Sequence, residues 1–122
     1  MSDTTLYHNP NCSKSRAALA ILEQSTVAFE TRFYLDNPLS RQEIEQLLSL
    51  LNITPHALVR ANESVIRDQH TDIEHFTSDE LIALMVAHPI LIERPILTRG
   101  GRATIGRPLE NIQELLATAP SA

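Results

Sequence analysis

The chain is short of several things, and each shortage removes a class of chemistry. It contains one cysteine in 122 residues, so no disulfide closes within it, and the lone thiol fits a reducing cytoplasm. Basic residues are outnumbered by acidic ones, ten to fifteen, giving a net charge of −5; a general nucleic-acid binder would show the opposite excess. The longest apolar run is Leu81-Ile82-Ala83-Leu84-Met85-Val86-Ala87, far below the ~20 residues of a membrane span. Met1-Ser2-Asp3-Thr4-Thr5 has no charged-then-apolar pattern, which points away from secretion and towards the cytoplasm. Lysine is nearly missing too. Nine of the ten basic residues are arginine and only Lys14 is lysine. Codon bias explains such a preference as readily as chemistry does, but arginine is also the side chain that grips oxyanions with two prongs.

What is present reads as one ordinary domain. Apolar residues make up 43% of the chain and charged residues 20%, enough for a packed core. No repeat, linker or low-complexity tract divides it, so a single domain over 1–122 is expected, with a helical insertion over roughly 40–88. Thr4–His8 is β-prone and stops at the turn cluster Asn9-Pro10-Asn11. A helix over Ser13–Gln24 and a strand over Val27–Leu35 follow, the pattern of a right-handed βαβ unit with a parallel pair. Ser40-Arg41-Gln42-Glu43 and Thr77-Ser78-Asp79-Glu80 are capping boxes opening two helices. Thr54-Pro55 reads as an N-cap with proline in the first turn, and Ala61–Phe76 as a loop with a loose helical turn. Pro95–Thr98 and Arg102–Ile105 flank Gly100-Gly101, a hairpin signal, and Pro108 starts a last helix. The order β-α-β, helices, β-β-α predicts an α/β, thioredoxin-like fold with a mixed sheet.

Cys12 stands between the turn cluster and the first helix. A buried apolar cysteine is the commoner use of the residue, but Asn9-Pro10-Asn11-Cys12-Ser13-Lys14-Ser15-Arg16 is polar and basic, which favours a reactive thiol. A free thiol titrates near about 8.5, leaving about 3% thiolate at pH 7. A working nucleophile needs about 2 units of lowering, roughly 2.7 kcal/mol. A helix terminus contributes only about 0.3–1 kcal/mol, so cations or hydroxyl donors must add the rest. Lys14, Arg16, Ser13 and Ser15 are close in sequence; His8 reads equally as a site residue or a surface histidine. Arg60 follows a short helix, while Arg94 and Arg107 each precede a proline that holds them on extended backbone. Alone each is a surface cation; together with a reactive sulfur they suggest a held tetrahedral oxyanion. His56, His70, His75 and His88 have neither ligand spacing nor companion cysteines, so no metal site is expected.

Tyr7–Arg16, Tyr34-Leu35-Asp36-Asn37-Pro38, Ala57-Leu58-Val59-Arg60, His88–Ile96 and Gly106-Arg107-Pro108 together resemble the glutaredoxin-coupled arsenate reductase family, in the right order over nearly the whole chain. The loop Cys12-Ser13-Lys14-Ser15-Arg16 lacks the glycine and threonine of plasmid-type members and looks more like the chromosomal, arsenate-reductase-like branch. The resemblance implies a thioredoxin-like fold with a cis-proline at Arg94-Pro95. It implies that Cys12 attacks arsenate to form a thiolate–arsenate adduct, and that Arg60, Arg94 and Arg107 bind the oxyanion and lower the thiol pKa. His8 matches a histidine that assists this lowering, and Ser15 a serine that contacts the thiolate. Glutathione would be a co-substrate and glutaredoxin a transient partner, with no bound cofactor. The residues agree on one point: a single cysteine cannot resolve a covalent intermediate, so the reductant comes from outside.

Rival readings meet specific obstacles. An Spx-like redox-responsive regulator typically carries a Cys-x-x-Cys switch, and Ser15 occupies its second position. A phosphatase-like loop needs arginine six positions after the cysteine, where Ala18 stands. A helix-turn-helix over Ser40–Arg60 would bring Glu43 and Glu45 towards phosphate.

Overall fold

The computed structural model describes residues 3–68 and 72–117. Expectations that fall on Met1, Ser2, His70 and the residues beyond 117 lie outside these. The chain forms two compact units, one of residues up to Asn37 and from Arg94 onward, the other Pro38–Glu93.

The first unit is built on β1 (Thr4–Tyr7), α1 (Ser13–Gln24), β2 (Glu30–Arg32), β3 (Ile96–Arg99), β4 (Arg102–Ile105) and α6 (Glu110–Ala117). Its four strands lie in the order β2-β1-β3-β4, with β1 and β2 parallel and the other pairs antiparallel. This is the mixed sheet of the thioredoxin-like fold. Leu6 and Leu97 from the central strands, Ala18 and Leu22 of α1, and Ile112 and Leu115 of α6 form the core, flanked by Leu19, Ile21 and Phe29. Each leucine or isoleucine among them taken fully out of water contributes about 1.5–3 kcal/mol. α1 keeps the expected bounds because Asn9-Pro10-Asn11 ends the strand before it. β2 is shorter than the expected Val27–Leu35: after Arg32 the backbone turns, Asp36 N–H and Asn37 N–H both bonding to the Phe33 carbonyl at 3.1 and 2.9 Å. Tyr34 is thereby buried instead of lying along the sheet.

The hairpin has a two-residue loop, with Arg99 paired to Arg102 and Gly100 at φ 60°, a value glycine adopts without strain. Gly106 is small for another reason. A Cβ there would lie 2.7 Å from Pro95 Cγ and 2.9 Å from Ile112 Cγ1.

The second unit is helical: α2 (Arg41–Leu51), α3 (Pro55–Leu58), α4 (Ser64–Arg67) and α5 (Ser78–Ala87), with single 3₁₀ turns at Ile73–His75 and Pro89–Leu91. Both capping boxes form, Ser40 with Glu43 and Thr77 with Glu80. Thr54 precedes α3 but its side chain makes no capping bond; proline in the first turn opens that helix. Ile44, Leu47, Leu58, Leu81 and Met85 are buried in this unit, and Arg41 of α2 pairs with Asp79 of α5. An isolated antiparallel bridge joins Val59 to Ile92, next to Arg60 and Glu93.

Candidate active site

Cys12 is the N-cap residue of α1, partly exposed, with extended backbone (φ −104°, ψ 122°) and no side-chain capping bond. The turn before it is closed by its own polar groups. Asn9 Oδ1 accepts from Asn11 N–H at 2.9 Å, and the Asn9 carbonyl accepts from Cys12 N–H at 3.1 Å. Arg16 bends back to donate to the Pro10 carbonyl at 2.8 Å. The sulfur is thus fixed at the start of a helix, where backbone N–H groups have no partner within the helix and favour negative charge.

Strand register explains how two distant arginines arrive there. Ile96 pairs with Ile105, and the same register continued beyond the strands sets Pro95 against Gly106 and Arg94 against Arg107. Gly106 N–H donates to the Pro95 carbonyl at 2.8 Å, and Arg107 Nε–H donates to the Arg94 carbonyl at 2.7 Å. Both X-Pro bonds here, Arg94–Pro95 and Arg107–Pro108, are cis; the resemblance implies only the first. Because Tyr7 pairs antiparallel with Ile96, the end of β1 that leads into Cys12 is also the end of β3 that carries Arg94. Arg107 Nη2 lies 4.0 Å from Cys12 Sγ.

These groups decide the ionisation of the sulfur. Burial is the largest single influence and pushes the Cys12 thiol up. The backbone N–H of Ser15, the Arg94 guanidinium and the backbone N–H of Lys14 push the other way, and the net pKa falls below the ordinary thiol value. Of the neighbouring residues considered from sequence, Lys14 contributes through its backbone and Arg16 is occupied with Pro10.

Behind the sulfur, His8 and Ser15 are 2% and 0% exposed, with His8 Nδ1 and Ser15 Oγ 2.7 Å apart. Ser15 Oγ also accepts from Asn9 N–H at 3.0 Å. Arg60 belongs to the helical unit. Its N–H donates to the Leu91 carbonyl at 2.7 Å, and its guanidinium is held by Glu63 at 3.1 Å and Glu93 at 2.8 Å. Burial disfavours its charge, but the two carboxylates outweigh this and raise its pKa. Cys12, Arg94 and Arg107 therefore come together at one end of the sheet with His8 and Ser15 beneath them, while Arg60 carries its own pair of carboxylates.

Sequence reasoning missed Asn9, Glu63 and Glu93. Asn9 had a local signal, since asparagine two residues before a turn amide commonly bonds to it. Glu63 stands three residues after Arg60, a spacing at which side chains meet, but Glu93 had no local signal at all.

A groove of about 340 Å³ is lined by Ser13, Lys14 and Ala17 of α1 and by Gly106, Arg107, Pro108 and Leu109, the chain neighbours of Cys12 and the segment that carries Arg107. A larger cavity of about 580 Å³ lies in the helical unit, and its described lining includes Ala61, Ile66, Arg67, Asp72, Ile73 and Glu74. Among the described residues no group of three His, Cys, Asp or Glu side chains could hold a metal ion, and no helix is long and apolar enough to cross a membrane.

Known proteins are similar to this chain in sequence and in fold. A model of the ArsC family matches residues 7–115. An arsenate reductase of Neisseria meningitidis serogroup A is 37% identical over 117 residues, covering 95% of this chain and all of that protein. An arsenate reductase of Escherichia coli is 36% identical over 122 residues, covering the whole of this chain and 86% of the other. The solved structure of an arsenate reductase from Vibrio cholerae superposes with a TM-score of 0.85 at 38% identity, covering 91% of this chain and 95% of that one.

Proposed function

This chain belongs to the ArsC family, and we propose that it is an arsenate reductase whose nucleophile is the Cys12 thiolate. The observation that carries the reading is the 4.0 Å approach of Arg107 Nη2 to Cys12 Sγ, with Arg94 acting on the same sulfur. The two guanidinium groups have successive duties. Before substrate arrives they favour thiolate; afterwards their forks bind the arsenate oxygens and offset the charge that develops on them. Arg60 is the third oxyanion donor in this reading, and Glu63 and Glu93 keep its side chain in place until then.

The chemistry runs in balanced steps. Attack of the thiolate on arsenic forms a sulfur–arsenic bond and expels one oxygen as water. As(V) must then gain two electrons while Cys12 returns as thiolate, so both electrons come from external thiols. Glutathione bonds to the arsenic with loss of a second water, reaching it from the groove between Lys14 and Pro108. Glutaredoxin's thiolate takes the glutathione sulfur as a mixed disulfide and leaves the electron pair on arsenic, now As(III). Hydrolysis of the remaining sulfur–arsenic bond releases arsenite. No resident cofactor is needed, and a thiol-rich cytoplasm is the proposed location. The regulatory alternative lacks its second thiol, since Ser15 stands where the switch requires one.

The test is a coupled assay with glutathione, glutaredoxin, glutathione reductase and NADPH. Oxidation of NADPH that depends on arsenate supports the proposal. Folded protein with no arsenate-dependent oxidation refutes it.

A further inference from the structure

We propose that His8 is a positioning residue: kept neutral, with Nδ1 as acceptor, it fixes the Ser15 hydroxyl and through it the turn and helix start that hold Cys12 Sγ. The proposal rests on the reading of Cys12 as nucleophile and gives the histidine an uncharged supporting part beneath the thiolate, in place of the cationic part that a protonated ring would play.

The proton count on one hydroxyl carries the inference. Ser15 Oγ has two partners, Asn9 N–H at 3.0 Å and His8 Nδ1 at 2.7 Å. The amide can only donate, so it takes a lone pair of the oxygen. The hydroxyl's single proton is then satisfied only by Nδ1, which must be bare, and the ring proton resides on Nε2. An imidazolium carries a proton on Nδ1 and would leave the Ser15 proton buried without an acceptor, at 0% exposure.

The surroundings of the ring agree. His8 is 2% exposed, and Phe33 meets it edge to face with centroids 5.6 Å apart. Two charged groups of α1 face it, Arg16 and Glu23, and they oppose one another. Burial is the largest influence and lowers the His8 pKa; a backbone hydrogen bond with Ser15, distinct from the Oγ contact, and Glu23 act against it, Arg16 with it, and the net direction is down. On the backbone, His8 N–H extends the β1–β2 pairing by donating to the Arg32 carbonyl at 2.9 Å. The ring is therefore anchored to the sheet, and the chain His8–Ser15–Asn9 ties the first turn of α1 to it. That same turn presents the Ser15 and Lys14 backbone N–H groups that lower the Cys12 pKa.

Two measurements test this. In wild-type protein, long-range nitrogen NMR is expected to show His8 neutral, protonated on Nε2, from pH 6.5 to 8.5. A ring that is protonated on Nδ1, or that titrates in step with the sulfur, overturns the proposal. Alkylation of Cys12 against pH supplies the second. His8→Ala and Ser15→Ala are expected to raise its midpoint by about half a unit to one unit, the scale of one hydrogen bond. His8→Gln, whose side-chain oxygen can accept from Ser15 but can never be cationic, is expected to restore most of the wild-type midpoint. If His8→Gln shifts the midpoint as far as His8→Ala, the cationic role stands and the neutral one is wrong. A depressed wild-type midpoint that neither alanine variant moves also defeats the proposal while sparing the nucleophile. An ordinary wild-type midpoint removes the nucleophile itself.

Discussion

Arg107 places Nη2 4.0 Å from the sulfur of Cys12, across 95 residues of sequence. The contact is set by strand register: Arg107 lies opposite Arg94 on the extended hairpin and bonds to its carbonyl, and the hairpin pairs with the strand that leads into Cys12. The Arg107→Lys variant keeps the charge but loses the Nε donor and the fork. Its KM for arsenate is expected to rise about tenfold or more, on the scale of one charge-assisted hydrogen bond, and steady-state kinetics will show it. An unchanged KM would separate Arg107 from the oxyanion.

Cys12→Ser replaces the nucleophile with a hydroxyl of similar shape. The sulfur is partly exposed and makes no capping bond, so the melting temperature is expected to stay within about 2 °C, the range of a surface change. Arsenate-dependent turnover is expected to vanish. Residual activity near the wild-type level in the coupled assay would remove the assignment.

Gly106→Ala puts a methyl group where no room exists, against Pro95 and Ile112. Overpacking of this kind costs about 1–3 kcal/mol. The melting temperature should fall by about 4 °C or more, and activity with it, because Pro95 and Gly106 are neighbours of both site arginines. A variant as stable as wild type would mean that this corner is looser than its contacts indicate.

Acid should expose the buried histidine. The His8 pKa is lowered in the folded chain, mainly by burial, whereas the unfolded chain binds that proton near about 6.5. The unfolded state thus holds more protons below that pH. Stability from neutral His8 is complete above about 6.5 and is lost as pH falls through the folded value. Between pH 7 and 5.5 the melting temperature of wild type is expected to drop further than that of His8→Gln. Equal drops, followed calorimetrically, would contradict the sign.

Local chemistry made much of this legible in the sequence. The turn cluster before Cys12 set the start of α1, the two capping boxes set α2 and α5, and the paired glycines set the hairpin. Three features lay beyond local reading. The turn at Phe33 ends β2 at Arg32 and buries Tyr34, a change of course set by contacts distant in sequence. Glu93 reaches Arg60 across 33 residues through the Val59–Ile92 bridge. The direction of the Ser15 proton depends on an amide and an imidazole on either side of it, which no spacing rule encodes.

The account depends most on a sulfur that is ionised at neutral pH, and the rate of iodoacetamide alkylation of Cys12 measured from pH 4 to 10 tests it most directly. The expected profile has its midpoint clearly below the ordinary thiol value of about 8.5, and it moves upward when Arg94 or Arg107 is replaced by a neutral side chain. A midpoint at the ordinary value, indifferent to both arginines, would contradict it.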